Sequence, residues 1–323
     1  MTKSFTTNTE AYQDYLKGRY WWNKRTKEGL NKATDFFQQA IAKDHTYALA
    51  YSGLADGYSQ LAVLGFVSPK EAFPSAKEAA QKALELDETL AEAHTSLAII
   101  KAAYDWDWSG AEREFQRAIE LNPNYADAHL IHGAALRAMG KIEQAAAEDK
   151  RALELDPFSL PANGFLGLTF YEARQYDQAI EQEKKTLELE PNLTLAHNIL
   201  GLAYVQKSMY KEGIAEFEKS LVISPADTMA LSWLGHSYGV AGRRSEAQTV
   251  LDQLDALSEH KYVSAGARAI IYAGLGEKDK AFDWLEKAYE ERSIADIQAV
   301  PDYDPLRSDP RWTDLLRRMN LRP

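Results

Sequence analysis

Apolar residues along this chain fall into pairs of helical stripes separated by short polar turns, and the whole pattern returns every 34 residues. Prolines mark the period: Pro123, Pro157, Pro191 and Pro225 are each 34 residues apart. With each proline counted as position 32, Leu166, Leu200 and Leu234 hold position 7, and Gly133, Gly167, Gly201 and Gly235 hold position 8. Position 11 is bulky (Leu136, Phe170, Tyr204, Tyr238), whereas position 20 is small (Ala145, Ala179, Gly213, Ala247). Positions 4, 7, 8 and 11, and again 20, 24, 27 and 28, share a helical face, which predicts two amphipathic helices per repeat. A turn such as Met139-Gly140-Lys141 joins them, glycine supplying the positive φ, and the proline ends the second helix. Small residues at positions 8 and 20 let the backbones approach, and bulky neighbours fill the remaining volume.

These segments, of which LGLAYVQKSMYKEGIAEFEKSLVISP is one, resemble the tetratricopeptide repeat. The resemblance implies an all-α, right-handed α-solenoid of about eight helix pairs, closed by a C-terminal capping helix. The pairs are placed near residues 9–45, 46–90, 91–125, 126–159, 160–193, 194–227, 228–261 and 262–293, an array over 1–293 followed by a loop and cap over 294–323. The first repeat aligns ambiguously through YQDYLKGRYWWNKR. In the second, about nine extra residues separate the helices, and Ser68, Pro69 and Glu71 inside them form a helix-start signal of the capping-box type. The third repeat has one extra residue at its turn, where Trp106 and Trp108 sit. Asp309 and Pro310 mark the start of the cap, with Trp312, Leu315, Leu316 and Met319 as its apolar stripe.

Composition narrows the possible chemistry. Hydrophobic residues at 45% and charged residues at 26% suit an ordinary folded chain, and the absence of cysteine excludes disulfides, thiolate metal sites and a cysteine nucleophile. The net charge of −11 has the wrong sign for whole-surface nucleic-acid binding. Residues 1–45 are basic by only three charges, despite the aromatic-rich RYWWNKR, so no nucleic-acid partner is expected. No run approaches a membrane span, so this chain is not expected to insert in a bilayer. Phosphate loops, dinucleotide fingerprints and HExxH are absent. His129 and His132 share a helix face, but no third ligand converges on them, and His94, His129 and His197 all hold position 4, a packing position. Acidic residues such as Glu216 and Glu218 read as solvated helix faces. The expectation is a protein that is not an enzyme, with no cofactor and no metal.

Recognition remains. Positions 2, 5, 9 and 12 of each first helix form a second stripe, which in the resembled family lines a concave groove. Read along the middle repeats it gives Leu130, Arg137, Leu168, Tyr171, Asn198, Leu202, Val205 and His236, a mostly apolar surface suited to a protein or peptide. The lysine, asparagine and arginine clamp by which chaperone-binding members hold a C-terminal carboxylate is missing at these positions. Phe66, Val67 and Phe73 of the insertion, with Trp106 and Trp108, form a secondary docking candidate, the alternative being that they pack back onto their own repeats.

A narrower resemblance covers nearly the whole chain. YDWDWSGAEREFQRAIELNPNYADAH, IYAGLGEKDKAFDWLEKAYEERS and DPLRSDPRWTDLLRRM are similar to the C-terminal repeat region of bacterial signalling proteins, where it follows a serine/threonine kinase, a nucleotide cyclase or a winged-helix DNA-binding domain. Two functions follow. One is a non-catalytic scaffold binding protein or peptide in the apolar groove. The other is a sensory or self-association module of a larger signalling protein, with a small ligand, a homo-oligomer or control of an upstream domain as its means, the chain then being a piece of that protein. The expected location is cytoplasmic for the scaffold, with the extracytoplasmic part of a membrane signalling protein as the alternative.

Overall fold

The computed structural model describes residues 6–294 and 297–322, and every regular element among them is helical. The chain divides into two compact units, one up to His132 and one from Gly133, the division falling within helix α7 (Ala126–Ala138).

The first unit holds α1 (Thr9–Trp22), α2 (Lys27–Lys43), α3 (Ala48–Val63), α4 (Pro69–Leu86), α5 (Ala91–Ile100) and α6 (Trp108–Leu121), each packed on its predecessor. The ambiguous first repeat finds its register through Phe37. This buried ring lies between Gly18 of α1 and Gly53 of α3, where a Cβ would stand 2.5 Å and 2.6 Å from it. Gly18 is therefore the small crossing residue. The nine-residue insertion lengthens the α3–α4 hairpin. Ser68 does hold the N-cap position of α4, but its side chain makes no capping bond. In the third repeat the extra residue is absorbed as a π-helical turn over Lys101–Asp105, ending at Trp106 with φ of 55°.

The second unit continues with α8 (Ile142–Leu155), α9 (Leu160–Glu172), α10 (Tyr176–Leu189), α11 (Thr194–Gln206), α12 (Tyr210–Ile223), α13 (Thr228–Val240), α14 (Arg244–Ser258), α15 (Ala265–Gly274) and α16 (Lys278–Glu291). The turn inside each pair repeats one conformation. Gly140, Arg174, Ser208, Gly242 and Gly276, 34 residues apart, all have φ between 60° and 76°. Two of the five lack the glycine that makes this conformation cheap.

After α16 the chain forms a 3₁₀ turn (Pro301–Leu306) and a final helix, α17 (Pro310–Arg318). Asp309 caps α17 by accepting from the Arg311 amide, and Trp312, Leu315, Leu316 and Met319 are buried. The cap is tied to α16 from outside. Arg318 pairs with Glu286 at 2.8 Å and lies over the Tyr289 ring, while Arg311 pairs with Asp279 at 2.9 Å and covers Phe282.

Candidate functional site

In the second unit, three successive first helices contribute to the concave positions, and the segment before the cap comes back to meet them. Asp302 of the 3₁₀ turn is 2% exposed. Its carboxylate accepts from the Tyr171 hydroxyl of α9, from Gln206 Nε2 of α11 at 3.2 Å, and pairs with His236 Nε2 of α13 at 3.0 Å. His236 donates through Nδ1 to the Ile270 carbonyl at 2.9 Å, so both ring nitrogens are engaged. Burial opposes the imidazolium charge, yet the Asp302 carboxylate and that carbonyl outweigh it and raise the His236 pKa. For Asp302, burial works upward while His236, Tyr171 and Gln206 pull harder the other way, and its pKa is lowered. Two residues on, Asp304 accepts from Arg174 Nη2 at 2.7 Å and 2.9 Å, at the half-exposed rim. Arg307 then ties the segment to itself, donating to the carbonyls of Gln298 at 2.6 Å and Val300 at 3.0 Å.

This arrangement corrects the expectation of an open groove. Of its eight residues, Leu168 is half-buried, and Leu130, Arg137, Tyr171, Asn198, Leu202, Val205 and His236 are all buried. Tyr171 and His236 are covered because the chain's own acidic turn occupies their polar ends. Arg137 is drawn away from any ligand: its guanidinium donates to Asp149 and Thr169, both at 2.9 Å, and lies 3.8 Å from Glu172. Asn198 differs. It is 3% exposed, yet its Oδ1 meets no hydrogen-bond donor among the described residues. Around that end of the face Leu195 is half-buried and Met229 is exposed.

The secondary docking candidate is also corrected. Phe73 is buried among Ala72, Ala76, Ala80 and Ile100 and stacks on Tyr104 at 5.2 Å, while Phe66 and Val67 pack partly buried against Trp22, Leu30 and Leu61. Trp106 and Trp108 are buried as well. The inserted apolar side chains close over their own repeats.

In the first unit the concave face carries ion pairs. Arg19 lies 3.2 Å from Asp56 and 3.6 Å from Asp127, and the Trp22 ring has guanidinium groups of Arg19 and Arg25 at 4.4 Å and 3.7 Å. Burial pushes the Asp56 pKa up to about 6 against the pull of Arg19. Trp22, Asp56 and Asp127 line a small cleft with Ser59, Gln60, Thr95 and Tyr125.

The histidines at position 4 are braces. His94 and His197 hold Glu114 and Glu216 through Nδ1 at 2.7 Å and 2.6 Å, and reach the carbonyls of Glu88 and Pro191 through Nε2. Glu216 therefore leaves the solvated face on which the pattern put it. His129 and His132 turn to different partners, Pro123 and Glu112, and no set of three metal-capable side chains occurs among the described residues.

Two acids escaped the sequence reading: Asp149 and Glu183, both wholly buried at position 24. Their signal was present, since Phe115, Phe217, Leu251 and Leu285 hold that position in other repeats. Asp302 had no comparable mark.

A tetratricopeptide repeat family model matches residues 102–159 and 166–228. The transcriptional regulator HilA of Salmonella typhimurium is 29% identical over 131 residues, 41% of this chain and 24% of HilA, and its Salmonella typhi counterpart matches equally. The chain thus spans about a quarter of the length of the curated relatives it matches. Among solved structures, IFIT1 superposes with a TM-score of 0.66 at 16% identity, over 96% of this chain and 71% of that one. Yeast Tom70 follows at 0.59 and 17%, over 98% and 69%. At such identities the likeness is one of fold. No helix among the described residues is long and apolar enough to cross a membrane.

Proposed function

Because the chain is a tetratricopeptide-repeat protein, we propose that it is a non-catalytic scaffold that takes an extended segment of a partner protein on the concave face of its second unit. The observation that carries this reading is the Asn198 amide, buried on that face with an acceptor that no described residue satisfies. A buried unpaired acceptor costs about 1 to 3 kcal/mol, a cost that a peptide N–H removes once the side chains over Asn198 part to admit it. Half-buried Leu168 and Leu195 and the exposed Met229 supply the apolar surface a partner can reach on that face.

The test separates binding from folding. A random peptide library selected on the protein should yield ligands whose affinity falls at least about tenfold in Asn198→Leu, while that variant melts at or above the parent temperature because the unpaired amide is gone. Selected peptides indifferent to Asn198→Leu and Leu168→Ala would move the binding face elsewhere.

The second reading, a sensory or self-association module of a larger signalling protein, is supported by the likeness to a transcriptional regulator. A winged-helix, kinase or cyclase domain in the same reading frame would favour it.

A further inference from the structure

The segment on the concave face is itself a bound peptide in all but its covalent attachment, and its contacts describe what that end of the groove accepts. Tyr171, Gln206 and His236 come from α9, α11 and α13, three helices spaced by the repeat, and they converge on one carboxylate of Asp302. Arg174, on the turn after α9, takes a second carboxylate, that of Asp304, through two hydrogen bonds. The donors differ in depth. The Asp302 receptor is buried, which demands an acid of the right reach, whereas the Arg174–Asp304 pair is solvent-exposed on both sides and tolerates variation. Pro301 and Pro305 flank the two acids in the short 3₁₀ element, and Arg307 braces the stretch through the Gln298 and Val300 carbonyls, so it can keep its shape on release.

We infer that this end of the groove is a recognition site for a partner segment of the form Asp-x-Asp, and that residues 297–307 are an internal ligand that such a partner displaces. The inference rests on the reading of the concave face as the binding face and names the partner chemistry for it. A tethered segment presents itself at an effective concentration on the order of millimolar. Free ligand therefore meets a site that is mostly closed, and its apparent affinity is reduced by the open fraction.

A fluorescein-labelled peptide of residues 298–307, added to the full chain, tests this by anisotropy. With the internal ligand weakened by Asp302→Ala and Asp304→Ala in the chain, the wild-type peptide should bind at least about tenfold tighter than it does to the parent. The same peptide with asparagine at both acids should not bind. An opened variant that melts cooperatively yet binds neither peptide, or binds both alike, would overturn the inference. So would a doubling of mass on opening, which would make a second copy of this chain the occupant.

Hydrogen exchange on the unaltered protein is the check that needs no variant. Amides of 300–307 should exchange well before those of α9, α11 and α13. Exchange of the segment only together with those helices would mean that it is a fixed part of the fold, and the inference fails. Library ligands that depend on Asn198 but carry no acids would defeat the inference while leaving the scaffold reading intact. Absence of any ligand dependent on the concave face would defeat that reading itself.

Discussion

Helix pairs α7–α8 and α9–α10 put an acid at the same buried position, and the chain treats the two in opposite ways. Asp149 of α8 accepts from Arg137 and, at 2.5 Å, from the Thr169 hydroxyl of the following pair. Glu183 of α10 has neither: both oxygens are buried without a hydrogen bond, one pressed against Gly167. Burial raises both acids above their ordinary values, Asp149 against the pull of Arg137 and Glu183 with nothing to oppose it. Asp149 is thus a member of a buried network that crosses from one pair to the next, while Glu183 has no partner among the described residues to favour its charged form. The same residue class at one position of one repeat becomes a connector or a liability according to what the next helix offers. A repeat array supplies its own controls for this kind of argument.

The largest expected effect turns Asp149 into a second Glu183. Arg137→Met leaves a buried carboxylate and Glu172 without their cation, and should cost about 3 to 5 kcal/mol in a denaturant melt. Adding Asp149→Leu should return much of the loss. A single variant as stable as the parent would mean that the ion pair is idle.

In the other direction, Glu183→Met fills the position with an apolar side chain of similar volume and should gain about 1 to 3 kcal/mol. The comparison also predicts a pH dependence. The unfolded chain releases the Glu183 proton near the ordinary value of 4.5, whereas the folded chain keeps it to a higher pH. Stability should therefore decline as pH rises from 4.5 through the raised value, with no further loss above it. Melts between pH 5 and 8 should show a smaller decline in Glu183→Met, and parallel profiles would show that Glu183 ionises freely in the fold.

The smallest effect compares two turns. Ser208 adopts at φ of 60° what Gly242 adopts freely one repeat later, so Ser208→Gly should add about 0.5 to 1 kcal/mol. A loss instead would show that the serine contributes something the turn geometry does not reveal.

The repeat was legible because its signals are local. Leu, Gly, bulky and small residues recur at fixed spacing, and each meets a neighbour within its own helix pair or the next: Gly201 faces Phe217, where a Cβ would stand 2.8 Å from the ring. The acids at position 24 were legible in principle as breaks in that stripe. What fills the concave face was not. Asp302 and Tyr171 are 131 residues apart, and no periodicity relates a turn after the last repeat to a helix in the fifth. The register of α1 was hidden for a different reason, since Gly18 is recognisable as a crossing residue only once the Phe37 ring is seen between it and Gly53.

The returning segment also changes how the second unit must come together. A string of helix pairs has almost wholly local contacts, so it can nucleate at several places, zip quickly and fray from its ends. A bond spanning 131 residues is of another kind. It closes a long loop at an entropic cost that the helices must already have covered, which makes it a late event in folding. Once made, it links α9, α11 and α13 directly through one carboxylate. Fraying of the last pairs then has to wait for that link to open, so release of the returning segment precedes any unravelling pair by pair.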